Sequence, residues 1–329
     1  MRPSPISTWA ETPIPMPDAG AQKFPDLGIL GLSHIVIEAS DPMKSAAFYN
    51  DVLGLETVPG PQWPQCGAAV TLAAGRGQNL ILAAASDLPD LHETGVHQAF
   101  GLSHGARERA ASRLEALGVK VETYGEDPPD ETTGGFYFFD PDGNRIQLVA
   151  MAGFKDHAPP ALHHSAVQVA DILWAEQFYT EILGLVAVHR VGWKTADYAR
   201  AQAWADGKED MAPGTRRLDK RYTSMVENRV VARVNPQVYF ACGDARLGVF
   251  LANQHMQESP EDACLGTPRV ALRVGPGAIE RAQGRLSEVN WRFEGPVFHE
   301  PGLAVSASIY LRDPGGNFIE LATAGGAHP

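Results

Sequence analysis

The chain repeats itself, and the repeat restricts the fold more than any other feature. LSHIVIEASD at 32–41 returns as LHHSAVQVAD at 162–171, and FYNDVLGL at 48–55 returns as FYTEILGL at 178–185. Both echoes keep one offset, which aligns His34 with His164 and Phe48 with Phe178. DPDGNRIQL at 140–148 and DPGGNFIEL at 313–321 close the two copies. Between these blocks, HQAFGLSHGARERAASRLEALGV from His97 aligns with RVALRVGPGAIERAQGRLSEVNW from Arg269. The 329 residues therefore read as a proline-rich N-terminal arm (1–27), a first copy (28–153), a linker (154–160) and a second copy (161–325).

Each copy divides again into two units of strand, helix and further strands. Residues 32–38 alternate as a strand, Asp41 and Pro42 form an N-cap and first-turn pair, and Gly54 stops the helix that follows. NLILAAA adds a strand. The second unit opens at His97, carries a helix from about Ala106 to Leu117 closed by Gly118, and ends in a strand pair around the PDG turn. The second copy repeats this plan around an insertion at 192–235 that holds Trp193, Tyr198, Trp204, Tyr222 and Met225. A connection of that length predicts a lid, binding loop or subunit contact.

Composition narrows the partners. With 27 Lys and Arg against 39 Asp and Glu, the net charge of −12 opposes binding to nucleic acid. No apolar run is long enough to span a bilayer, and the first residues lack the apolar core of a signal peptide, so a cytoplasmic protein without membrane contact is expected. Cys66, Cys242 and Cys264 are too scattered for a zinc knuckle and read as reduced thiols.

Strand alternation then selects the chemistry. In HIVIE, His34, Val36 and Glu38 share one face, while Ile35 and Ile37 share the other and face the helix. The same rule sets His97 opposite Phe100 and Leu102, and Gln147 opposite Ile146 and Leu148. In the second copy it sets His164 and Gln168 opposite Val167 and Val169, Arg269 opposite Val270 and Leu272, and Glu320 opposite Ile319 and Leu321. His163 has the parity of the helix side or solvent. If the sheets curl, the polar faces converge on clefts.

Four such units, the paired FYxxxLGL helices and two DPxGNxIxL endings resemble the vicinal oxygen chelate superfamily of glyoxalases, fosfomycin-resistance proteins and extradiol dioxygenases. The resemblance covers residues 30–325 and implies an α+β fold, with four βαβββ units forming two tandem domains whose curled mixed sheets surround a cleft. It also implies a divalent metal, Fe(II) first and Mn(II) or another ion as alternatives. That metal would be held by a His opening one unit, a donor opening its partner and a Glu ending that partner. The matching positions are His34, His97 and Gln147 in the first copy, and His164, Arg269 and Glu320 in the second.

The first set keeps two imidazoles but replaces the carboxylate by an amide. The second carries Arg269, whose guanidinium cannot ligate a cation and is read instead as a substrate contact or a partner for Glu320. The simplest expectation joins His34, His97 and Gln147 on one ion. Units could also pair across copies, combining His164 with His97 and Gln147, or His34 with Glu320.

Tyr137 and Tyr310 each stand ten residues before the closing donor, the spacing of the catalytic Tyr in the extradiol signature, although His299 lies too far upstream of Tyr310 to complete it. Tyr137 and Tyr310 are the catalytic candidates; Arg269, His299, Trp193 and Tyr222 are the substrate-binding ones. The expected function is metal-dependent chelation of an oxygen-rich small molecule, with an aromatic substrate as one option, extradiol ring cleavage as the leading activity and a homodimer as the assembly. The alternatives are a glyoxalase-like lyase or isomerase and a non-enzymatic binder of small molecules or drugs.

Overall fold

The computed structural model describes residues 27–63, 67–88, 91, 95–122, 135–169, 172–191, 223–226, 229–232, 237–251 and 263–325. Most of the insertion, including Trp193, Tyr198, Trp204 and Tyr222, lies outside the described residues, as do Cys66 and the N-terminal arm to Asp26. From the insertion, β10 (Thr223–Val226) and β11 (Arg229–Ala232) form an antiparallel pair. None of the described helices is long and apolar enough to cross a membrane.

The expected units are present. Unit 1 comprises β1 (Ile29–Ala39), α1 (Pro42–Leu53), β2 (Glu56–Val58), β3 (Ala69–Ala73) and β4 (Asn79–Ala84). Unit 2 comprises β5 (His97–Leu102), α2 (His104–Ala116), β6 (Phe136–Phe139) and β7 (Arg145–Ala150). Unit 3 has β8 (Ala161–Val169), α3 (Ile172–Gln177, continued by a π turn over Phe178–Ile182), β9 (Val186–Val191), β12 (Gln237–Cys242) and β13 (Ala245–Leu251). Unit 4 has β14 (Arg269–Val274), α4 (Ala278–Glu288), β15 (Phe293–Phe298), β16 (Val305–Arg312) and β17 (Phe318–Ala324).

Local chemistry accounts for the first helix. The Asp41 carboxylate accepts from the backbone N–H groups of Met43 and Lys44, each at 3.2 Å, and Pro42 starts the helix with its preset φ. Gly54 ends the helix in the left-handed region at φ 69° and donates to Asn50 O at 2.8 Å.

The units pair across the two copies. One sheet runs β15-β16-β17-β14-β1-β4-β3-β2 and therefore joins unit 4 to unit 1; the other runs β6-β7-β5-β8-β13-β12-β9 and joins unit 2 to unit 3. Each is symmetric about a central antiparallel pair, β1 with β14 and β5 with β8, whose outer neighbours are parallel.

Faces follow the alternation. Ile35, Ile37, Phe100, Leu102, Ile146 and Leu148 enter the main core with the helices. A second apolar cluster of Val36, Trp63, Ile81, Ala83, Cys264, Leu265 and Tyr310 fills the inner side of the unit 1–unit 4 sheet.

The DPxGN turns hold the sheets to each other. Asp140 Oδ2 accepts from Tyr49 OH at 2.7 Å, and Asn144 Nδ2 donates to Glu38 O at 2.8 Å. In the second copy Asp313 Oδ2 accepts from Tyr179 OH at 2.8 Å, and Asn317 Nδ2 donates to Gln168 O at 2.9 Å. Each turn thus grips the first strand and helix of the other unit in its own copy. Sequence neighbours are clasped while sheet partners come from the opposite copy.

Candidate metal centre

In the unit 2–unit 3 cleft, three adjacent strands present the donors. Ala99 on β5 pairs with Gln147 on β7 and with His164 on β8, so the amide and the imidazole flank β5, whose His97 lies two residues away on the same face. The Nε2 atoms of His97 and His164 stand 2.8 Å apart, and both rings are buried. Two imidazole nitrogens bound at right angles to one ion at about 2.1 Å would be separated by about 3.0 Å, close to this spacing. Gln147 Oε1 is buried and accepts no well-formed hydrogen bond among the described residues. An unsatisfied buried oxygen beside two convergent imidazoles is the donor arrangement a cation would complete. The set is unusual in its third member: among the described residues no three His, Cys, Asp or Glu side chains gather to hold a metal.

Electrostatics keep both rings neutral. Burial pushes His97 down to about 4, more than its hydrogen bond to the Gly95 carbonyl at 2.8 Å raises it. Burial also lowers His164 well below the usual imidazole range, with His97, His163 and Arg246 adding to the effect. Neutral rings are what ligation requires. Aromatic rings wall the cleft: Tyr137 and Phe250 lie edge-on to His97 at 5.3 and 5.8 Å, and Tyr239 to His164 at 5.9 Å.

The unit 1–unit 4 cleft is built differently. Glu320 Oε2 accepts from Arg269 Nε at 2.8 Å and lies 3.2 Å from His34 Nε2, while Oε1 accepts from Ser308 Oγ at 2.6 Å. The guanidinium carbon of Arg269 sits 4.3 Å from the Trp63 ring centre and 5.2 Å from that of Tyr310, and Nη1 donates to Gly266 O at 2.8 Å. Trp63 Nε1 donates to Tyr310 OH at 2.7 Å. Burial alone would raise the Glu320 carboxyl, but His34 and Arg269 outweigh it and hold it at about 2. A cation already occupies this cleft, in the form of the guanidinium, and these residues do not fit a divalent ion.

The simplest sequence expectation is therefore corrected. His34 and His97 do not share a site: β1 takes β14 and β4 as neighbours, β5 takes β8 and β7, and the two histidines fall on different sheets. Of the expected ligands, His97, His164 and Gln147 come together in one cleft, and His34 and Glu320 meet in the other with Arg269 between their roles as ligand position and counterion. Tyr137 stands beside the first group and Tyr310 in the second. His299 Nε2 reaches Ser308 Oγ at 2.9 Å, at the edge of the Arg269 cleft. Trp193 and Tyr222 lie outside the described residues.

A second correction concerns His163, which lies inside the protein with Nδ1 2.7 Å from His164 Nδ1. The cause is a β-bulge. Ala99 pairs with His164 and Phe100 with Leu162, leaving His163 as the extra residue, so the alternation breaks and both imidazoles turn the same way. Trp63, Ser308, Tyr239 and Phe250 were not singled out from sequence. Ser308 shares the face of Tyr310 two residues on and was open to the same parity argument, whereas Trp63 comes from an irregular connection where no periodicity points to it.

Residues 31–148 match the family model of the Glyoxalase/Bleomycin resistance protein/Dioxygenase superfamily. The fold resembles that of a candidate dioxygenase from Bacillus subtilis, with a TM-score of 0.61 at 15% identity over 91% of this chain and 87% of that one. It also resembles glyoxalase I from Zea mays, with a TM-score of 0.55 at 16% identity over 89% of this chain and 92% of that one. The family match thus lies in the first copy, and the chain as a whole shares its fold with these two structures.

Proposed function

We propose that the unit 2–unit 3 cleft holds a divalent metal on His97, His164 and Gln147 and binds an anionic, oxygen-rich small molecule there, with extradiol-type cleavage of a catechol-like ring as the reaction. The carrying observation is the 2.8 Å approach of two neutral Nε2 atoms beside the unsatisfied Gln147 oxygen. Fe(II) is the ion we favour, because two imidazoles and one oxygen on one face leave positions for a chelating substrate. When bound, that metal supplies Lewis acidity and, as iron, the redox capacity that oxygen insertion needs.

Charge defines the substrate class. The three donors are neutral, and the fixed charges that act on the two imidazoles are those of Arg145 on His97 and Arg246 on His164. A divalent ion here keeps its full charge in an already positive cleft, which favours a dianionic chelator over a neutral one. Tyr137, Tyr239 and Phe250 offer ring faces and edges to a planar substrate and exclude water from it. Tyr137, against His97, is the candidate for a hydrogen bond to a substrate oxygen. A glyoxalase-like isomerase needs a carboxylate base at the metal, and among the described residues the donor set contains none.

The test is metal analysis and turnover on protein prepared without oxygen and loaded with Fe(II). The reading expects one ion per chain, lost in His97→Ala and His164→Ala, and ring-cleavage absorbance from a panel of catechols. Full metal content in both variants would overturn it.

A further inference from the structure

The three imidazoles of the bulged strand form a directed series. Gly95 O only accepts, so the proton in its 2.8 Å bond to His97 belongs to His97 Nδ1. Neutral His97 then carries its lone pair on Nε2. Across the 2.8 Å contact His164 must donate from Nε2, which leaves the lone pair of His164 on Nδ1. His163 completes the series by donating from its own Nδ1 over 2.7 Å. Without metal, the Gly95 carbonyl sets the direction in which the series donates.

Metal binding at both Nε2 atoms cannot keep that order, because His164 would have a proton where it must offer a lone pair. His164 has to move its proton to Nδ1 and give that bond to His163 Nδ1, and His163 has to move its own proton to Nε2. Each ring then exchanges which of its two nitrogens faces its neighbour with a proton. The other cleft shows the same construction in simpler form. Ser33 is the extra residue between Leu32 and His34 in the pairing with β14, and its hydroxyl lies 3.3 Å from His34 Nδ1. There the Glu320 carboxylate accepts from His34 Nε2, and the Ser33 hydroxyl, which can donate or accept, stands at Nδ1. In both copies the bulge residue is the Nδ1 partner of the following histidine.

Resting on the metal reading above, we propose that His163 is a positioning residue for the metal: it is the ring that can both donate to and accept from His164 Nδ1, and so lets His164 switch from hydrogen-bond donor to ligand. A metal on Nε2 polarises the Nδ1–H of the same ring, so the acceptor on His163 matters more in the metal-bound state than its donor does in the free one.

The experiment is Co(II) titration of the full chain, read by its visible absorption, with ¹⁵N histidine spectra of the metal-free and Zn(II)-loaded protein. His163→Phe keeps a ring but no nitrogen and should bind Co(II) about 10- to 100-fold more weakly, the usual cost of a lost outer partner. His163→Asn can accept through its oxygen or donate through its nitrogen, and should bind Co(II) close to wild type. In the spectra His164 should carry its proton on Nε2 without metal and on Nδ1 with Zn(II). Wild-type Co(II) affinity in His163→Phe, or a His164 tautomer that is unchanged by Zn(II), would overturn the proposal while leaving the metal site standing. A wild-type chain that takes up no Co(II) would overturn the metal reading itself, and this one with it.

Discussion

Tyr179, in the π turn that continues α3, donates its hydroxyl to Asp313 Oδ2 at 2.8 Å, although the units of the two residues contribute strands to different sheets. The same bond joins Tyr49 to Asp140 at 2.7 Å in the first copy. The FY and DPxGN motifs that reveal the repeat are thus two halves of one clasp. Their recurrence reports the joint between sheets and carries no site chemistry.

Asp313 is bound by Tyr179, Asn317 and the Gly315 and Asn317 amides, yet burial outweighs them and pushes its carboxyl up to about 6. A raised carboxyl binds protons more tightly in the native state than in the unfolded one, so its effect on stability is unfavourable above its unfolded value. Stability should fall between about pH 4 and pH 6 by about 3 kcal/mol from this group alone, and Asp313→Asn should remove that slope. Urea midpoints of the two proteins across that range check the sign. Tyr179→Phe, which strips one donor from a buried acceptor, should cost about 1–3 kcal/mol at pH 7.

His97 titrates with the opposite sign. It is held at about 4, below its unfolded value near 6.5, so the unfolded chain takes up a proton first as the pH falls. The contribution is complete above about pH 6.5 and is lost as the pH drops through about 4, amounting to about 3 kcal/mol in metal-free protein. His97→Phe should show a shallower loss than wild type between pH 7 and pH 4.5. An equal loss in both proteins would place the acid sensitivity elsewhere.

Units, strands and inward-facing polar residues were legible because alternation and capping are local. Ile35 and Ile37 on one face, and Asp41 with Pro42 at a helix start, need no knowledge of the rest of the chain. Strand pairing is not local. Alternation says which face of β5 carries His97 but not whether β1 or β8 lies beside it, and that choice decides whether His97 meets His34 or His164. The bulge at His163 was hidden for the same reason, since an extra residue is defined only against the strand opposite. Arg269 was legible as a residue that cannot ligate, because that follows from its side chain alone.

Arg269 and Glu320, both fully buried, give the sharpest energetic test. Removing the guanidinium takes away one of the groups that offset the burial of the Glu320 carboxylate and leaves that charge under-compensated, whereas removing both charges leaves an apolar cleft already lined by Trp63, Leu265 and Tyr310. Arg269→Met should therefore cost about 3–5 kcal/mol, and Arg269→Met combined with Glu320→Gln should recover a large part of it, because the unpaired charge and not the lost bond sets the penalty. The Co(II) content of the double variant should match wild type, since the proposed ligands lie on the other sheet. Loss of Co(II) from the folded double variant would instead assign the metal to the Glu320 cleft.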